Sequence, residues 1–136
     1  IENPLEIKIL RGGIGYFWEQ LTLPLYVNKH QIVLLNLCNI APVLAKDSWV
    51  TIHDLAFIKN KSWFSFTFRL IYNLLIPIIV NRSKKIFTVS KTMKQELIDQ
   101  FKIDPNKINV VYNKVSQEFL DAIPEEISIK LLKFFS

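Results

Sequence analysis

His53 and Asp54 are the sharpest pair of chemistry-bearing residues in this sequence. They follow directly on Trp49-Val50-Thr51-Ile52, a run rich in β-branched and aromatic residues that reads as a buried strand. A neutral imidazole at a strand tip can hold a sugar hydroxyl or a phosphate, or move a proton near neutral pH. Asp54 can face the same ligand, or it can cap a turn through its own backbone. The chain has 2 histidines, so His53 does not belong to a histidine-rich metal cluster. Three more polar residues stand at the ends of similar runs. Asn39 follows Ile32–Leu37, Ser90 follows Lys85–Val89, and Asn113 follows Ile108–Tyr112. Ligands of open α/β sheets bind beyond the carboxyl ends of the strands, so Asn39, His53, Asp54 and Asn113 are the candidate binding residues.

Each candidate has a structural reading beside the functional one. Asn39-Ile40-Ala41-Pro42 is a turn, and its asparagine can equally face a cleft. Ser90 reads as a helix N-cap rather than a nucleophile, since no Gly-x-Ser-x-Gly elbow surrounds it. The three glycines all fall in Arg11-Gly12-Gly13-Ile14-Gly15, ahead of a helix. The amides of Gly12 and Gly13 can meet a phosphate there, although the spacing is not a dinucleotide fingerprint. Ile7–Leu10 before them is a candidate strand. Cys38 reads as a small buried hydrophobe.

The elements that must position these residues alternate along the chain. A helix is expected over Tyr16–Asn28, with Phe17, Leu21 and Leu25 at helical spacing. A very apolar second helix spans Trp63–Arg82, and Pro77 should kink or divide it. A third begins at Ser90 or Thr92, where Thr92 and Gln95 fit a capping box, and carries Met93, Leu97 and Phe101 on one stripe. Lys102–Lys107 is a turn, and a last helix starts near Glu125. The four strand runs are nearly continuous in apolarity, as suits strands covered on both faces. The expected fold is α/β, with a Rossmann-like, doubly wound parallel sheet.

Composition sets the outer bounds. At 136 residues and 50% apolar, the chain is long and apolar enough for one real core, which excludes disorder. One cysteine excludes a disulfide framework and a multi-cysteine zinc site. The net charge of +5 is unevenly spread, for Leu55–Gln95 holds eight Lys and Arg and no Asp or Glu. A basic middle attracts phosphates or anionic lipid headgroups. The Trp63–Arg82 segment holds no longer charge-free apolar run than Leu70–Val80, which is interrupted by Asn73 and Pro77 and too short to span a bilayer. It reads mainly as a core helix, with a second reading as an apolar surface resting on an anionic membrane between Lys59/Lys61 and Arg82/Lys84/Lys85. Nucleic-acid binding is disfavoured, because the aromatics stand mostly at core spacing.

Several ordered motifs together carry a family resemblance. Val50–Phe57 (VTIHDLAF), Ser83–Leu97 (SKKIFTVSKTMKQEL) and Ile103–Phe119 (IDPNKINVVYNKVSQEF) resemble glycosyltransferase family 4. Trp18–Val27 (WEQLTLPLYV) and Leu34–Val43 (LLNLCNIAPV) are similar to further segments of that family. The resemblance runs from Arg11 to Phe119 and is nearest to bacterial enzymes of lipopolysaccharide or capsule synthesis. It implies the N-terminal, acceptor-side half of a GT-B fold enzyme, truncated before the domain that binds the nucleotide sugar. Residues 1–118 would be the acceptor-side domain without its first strand, and 119–136 a linker and the start of the donor domain. A start at Ile1 and an amphipathic Ile129–Ser136 end agree with a piece of a longer polypeptide.

The resemblance implies retaining transfer of a sugar from a nucleotide-sugar donor to a lipid-linked or polysaccharide acceptor. No cofactor or metal is implied, and the parent would work in the cytoplasm or at the cytoplasmic face of the inner membrane. His53 matches the family's strand-end histidine near the transferred sugar, and Asp54 its partner. Asn39 matches the asparagine of the N-x-a-P turn, and Asn113 that of the interdomain motif. Lys114 and Ser116 depart from the family's Gly and Asp, and the Gly normally permits a positive φ. The alternative reading is a non-catalytic α/β ligand-binding module or an inactive gene product.

Overall fold

The computed structural model describes residues 7–114. The expected boundary at residue 119, Ser116 and the helix from Glu125 lie outside the described residues. Four short strands form a sheet: β1 (Leu34–Asn36), β2 (Ser48–Ile52), β3 (Lys85–Thr88) and β4 (Ile108–Val110). All three pairings are parallel and the strands lie in the order β1-β2-β3-β4. These are the four runs expected from the sequence; β1, β3 and β4 are shorter than expected, and β2 begins one residue earlier.

Because each strand adds on the same side of the last, the helical crossovers stack on one face. Helix α4 (Phe66–Arg82) joins β2 to β3, and α5 (Lys91–Phe101) joins β3 to β4. Val50, Ile86 and Ile108 stand in one row across the sheet. With Ile52 they are buried against Ile76, Ile79, Val80, Met93 and Leu97 of the two helices. The alternate residues Leu35, Trp49, Thr51, Phe87 and Val111 remain half-buried or exposed. Coverage of both faces is therefore not seen among the described residues. Among those residues one layer of helices covers one face, and no described helix packs on the other.

The N-terminal helical segment is continuous in direction but not in type. It runs through α1 (Gly15–Phe17), a π-helical stretch (Trp18–Thr22) and α2 (Leu23–Lys29). Pro24 and Val27 are its buried residues. The Phe17/Leu21/Leu25 stripe faces outward instead, at 72%, 47% and 70% exposure. Ile7–Leu10 is not a strand.

Two local features differ from the sequence reading for clear reasons. Pro77 lies inside α4 without dividing it. The helix is held on both sides of the proline by the burial of Ile76, Ile79 and Val80. Its last turn is further held by Lys107 Nζ, which donates to the carbonyls of Val80 (3.0 Å) and Asn81 (2.6 Å). Burial at this place pushes the Lys107 ammonium below its ordinary pKa. At α5 the cap is Ser90, whose Oγ accepts from Met93 N at 3.0 Å. Thr92 begins no capping box, because Gln95 Nε2 donates to Asp99 Oδ1 one turn further on. Ser90→Ala is expected to cost about 1 kcal/mol, read as a lower Tm in thermal unfolding.

Candidate acceptor site at the strand ends

The chain leaves β2 at Ile52, and two bonds fix its exit. Thr88 Oγ1 of β3 donates to Ile52 O at 2.9 Å, fully buried. On the other side, His53 N donates to Asn39 Oδ1 at 2.8 Å. The His53 ring then reaches back over the end of β1, where Nε2–H donates to Leu37 O at 2.8 Å. In the neutral ring this bond places the proton on Nε2 and leaves the Nδ1 lone pair as an acceptor. Asp54 Oδ1 accepts from Ala56 N at 2.9 Å, which turns the chain into α3 (Ala56–Lys59). The turn-capping reading of Asp54 is the one this hydrogen bond bears out.

The turn that carries Asn39 is itself braced. Asn36 Nδ2 donates to Ile40 O at 2.6 Å. Gln20 grips the turn from the N-terminal helical segment, with Nε2 donating to Ala41 O (3.3 Å) and Oε1 accepting from Val43 N (3.0 Å). Sequence reasoning did not assign Gln20 this role, although it sits in the Trp18-Glu19-Gln20 motif. Cys38, in the same turn, is exposed rather than buried. The backbone bends away from the sheet there, so the small thiol has no core to enter.

Two cavities open on either side of the His53–Asn39 link. The larger, about 470 Å³, lies over the open sheet face and brings His53 and Asn113 together above Leu37, Trp49 and Phe87. The smaller, about 110 Å³, joins Asn39 and Asp54 to a wall of Phe57, Phe64, Phe68 and Tyr72. That wall is a stacked series. Phe64 and Phe68 centroids are 5.0 Å apart, Phe68 and Tyr72 3.9 Å, and Phe57 meets Tyr72 edge-on at 5.3 Å. The aromatic wall was read from sequence only as helix core. Phe64, Phe68 and Tyr72 stand four positions apart into α4, and that spacing is the signal that could have found it.

Charge near the site is set by burial. Burial pushes the Tyr72 phenol above its ordinary pKa, and the neighbouring Tyr16, Glu19, Cys38 and Asp54 groups add to that. Tyr72 therefore keeps its proton and remains a hydrogen-bond donor at neutral pH. Burial also raises the Glu19 carboxyl. Glu19 lines a separate, shallow depression with Ile14, Tyr16 and Trp18.

The remaining candidates separate from this group. Gly12 and Gly13 line neither strand-end cavity. Gly12 O accepts from Thr22 Oγ1 at 3.0 Å, which ties the glycine-rich stretch to the N-terminal helical segment. Gly12 and Gly13 both have positive φ, +125° and +66°. Ser90 serves as the α5 cap. Lys114 is exposed and is not among the residues with positive φ, so the conformation that Gly would favour at this position is not adopted.

Comparison with known proteins agrees with this geometry. The family model described as Glycosyltransferase Family 4 matches residues 16–119. The O-antigen chain mannosyltransferase RfbU of Salmonella typhimurium is 30% identical over 74 residues, which cover 54% of this chain and 20% of that protein. The chain thus matches about a fifth of the length of that relative. No solved structure matches the chain significantly. With a match across most of its length and a parallel α/β sheet whose polar strand ends converge, the chain belongs to glycosyltransferase family 4.

Proposed function

We infer that this chain is the acceptor-side half of a retaining glycosyltransferase. The enzyme would move a hexose from a nucleotide-sugar donor to a lipid-linked or polysaccharide acceptor. The observation that carries this reading is the strand-end rim, where His53 is locked by Asn39 and Leu37 and shares a cavity with Asn113. Similarity to an O-antigen mannosyltransferase supports a sugar donor of the mannose type.

In this reading the protein's work is positioning. His53 Nδ1 accepts a hydrogen bond from a sugar hydroxyl, and the free oxygen of Asp54 accepts another. Asn113 contributes a donor and an acceptor at the far side of the cavity. The stacked wall of Phe64, Phe68 and Tyr72 offers apolar faces to a sugar ring or to the first part of a lipid anchor. The bond from the anomeric carbon to the diphosphate breaks, and the acceptor oxygen bonds to the same face of that carbon. The departing diphosphate takes the electron pair and the proton of the acceptor hydroxyl, and its remaining charge is met by the donor domain rather than by this chain. The nucleotide sugar is a co-substrate, and no cofactor enters the scheme. The chain alone is inactive, and the complete enzyme works at the cytoplasmic face of the inner membrane.

The test is to supply the full-length protein with labelled nucleotide sugars and a lipid-linked saccharide. The expected result is release of nucleoside diphosphate and a product with the donor's anomeric configuration by NMR. An inverted product would overturn the retaining mechanism, and absence of transfer from every sugar class would overturn the transferase reading.

A further inference from the structure

Helix α4 is apolar nearly all round, a pattern that calls for burial on every side. Only one side is covered by protein. Ile76, Ile79 and Val80 pack on the sheet. The opposite face presents Phe66 (73% exposed), Leu70 (58%), Leu74 (64%) and Ile78 (38%), one per turn along the helix. Trp63, just before the helix, is 72% exposed. The other outward residues of α4 are Thr67, Asn73, Asn81 and Arg82, so this face holds no acidic side chain.

Charge singles out what this face fits. Lys61 stands at one end of the stripe and Arg82, one turn beyond Ile78, at the other. Among the described residues neither has a carboxylate partner, whereas Lys59 and Lys84 are paired with Glu96 and Asp47. The outward stripe of the N-terminal helical segment differs, for it lies beside the carboxylate of Glu19. An apolar stripe about 18 Å long, with an exposed Trp and Phe at one end and unpaired bases at both, matches the interface of an anionic bilayer. No described helix is long and apolar enough to cross a membrane, so the contact would be peripheral.

We propose that the Phe66/Leu70/Leu74/Ile78 face of α4, with Trp63, Lys61 and Arg82, is the surface on which the protein rests on an anionic lipid bilayer. This rests on the transferase reading above and assigns the lipid contact to one helix face. The geometry also gives the contact a purpose. The inner edge of the same helix end carries Phe64, Phe68 and Tyr72, which line the cavity with Asn39 and Asp54. A lipid-anchored saccharide would therefore pass from bilayer to site along one helix end, without leaving the surface.

The experiment is vesicle flotation of the full-length protein, with phosphatidylcholine alone or mixed with phosphatidylglycerol. Two double variants are compared, Leu70→Ser/Leu74→Ser and Lys61→Ala/Arg82→Ala, each checked for folding by circular dichroism. The expected result is flotation only with the anionic vesicles, weakened roughly 30-fold by removing the two charges and at least as much by the serine pair. Transfer to a water-soluble acceptor stays unchanged in both variants, while transfer to a vesicle-borne acceptor falls. Equal flotation of wild type and both variants, or none by wild type, would overturn the proposal. So would a solution dimer that the serine pair dissociates, since a second copy would then own this face. Vesicle binding through α4 with no transfer to any acceptor would leave the docking face standing and remove the transferase reading instead.

Discussion

His53→Ala is expected to lower kcat/KM for sugar transfer by about 100-fold, comparable to loss of one preorganised polar contact at a reacting centre. The ring is held by Leu37 O and its backbone by Asn39, so Nδ1 has one defined direction in which to accept. Alanine removes that acceptor and frees the turn after β1. Because His53 is exposed, the fold should lose little, and Tm should fall by no more than a few degrees. His53→Gln keeps a donor for Leu37 and should lose less activity than His53→Ala. Steady-state kinetics with a lipid-linked acceptor, alongside calorimetry, checks both expectations. Unchanged transfer by His53→Ala would remove His53 from the site.

The largest stability effect is expected at Ile76→Ala. Ile76 is fully buried in α4 against the sheet. Truncating such a side chain typically costs 2–5 kcal/mol, roughly, from lost transfer energy and the cavity left behind. A domain of this size has about 5–15 kcal/mol in total. The loss would also fall on the turn that contains Pro77, where α4 already lacks one backbone hydrogen bond. Urea unfolding should show a lower midpoint at unchanged slope. The exposed neighbour Leu74→Ala, on the same helix, should change stability by less than about 1 kcal/mol. Equal effects at the two positions would contradict the assignment of inner and outer faces.

The contrast between Ile76 and Leu74 also marks what the sequence could convey. Strand positions were legible because Val50-Thr51-Ile52 and Ile86-Phe87-Thr88 are dense in β-branched and aromatic residues. The strand-end residues follow from those positions: His53 N bonds to Asn39, and Asn39 shares a cavity with Asp54. Their hydrogen bonds were not legible, since the turn at Asn39 is set by Gln20, some twenty residues earlier. Nor was it legible that the described helices cover one face of the sheet. An apolar run cannot reveal whether both of its faces are covered, because that depends on strand order. For the same reason α4 reads mainly as core, although Phe66, Leu70 and Leu74 face away from the sheet. Ser90 over Thr92 as the cap was a choice between two sound signals. The direction of the chain leaving β3 decided it, with Ser90 in extended conformation and its hydroxyl aimed at Met93 N.

The central claim, that the strand-end rim holds the acceptor saccharide, is tested most directly by NMR of the histidine rings. The chain carries two, His53 at the rim and His30 stacked near Tyr26 at the end of α2. In protein labelled at histidine, with His53→Asn used to assign the signal, acceptor saccharide is titrated to saturation. The account predicts that the His53 ring resonances move with the acceptor while those of His30 stay in place. A His53 signal that does not move at saturating acceptor would contradict it.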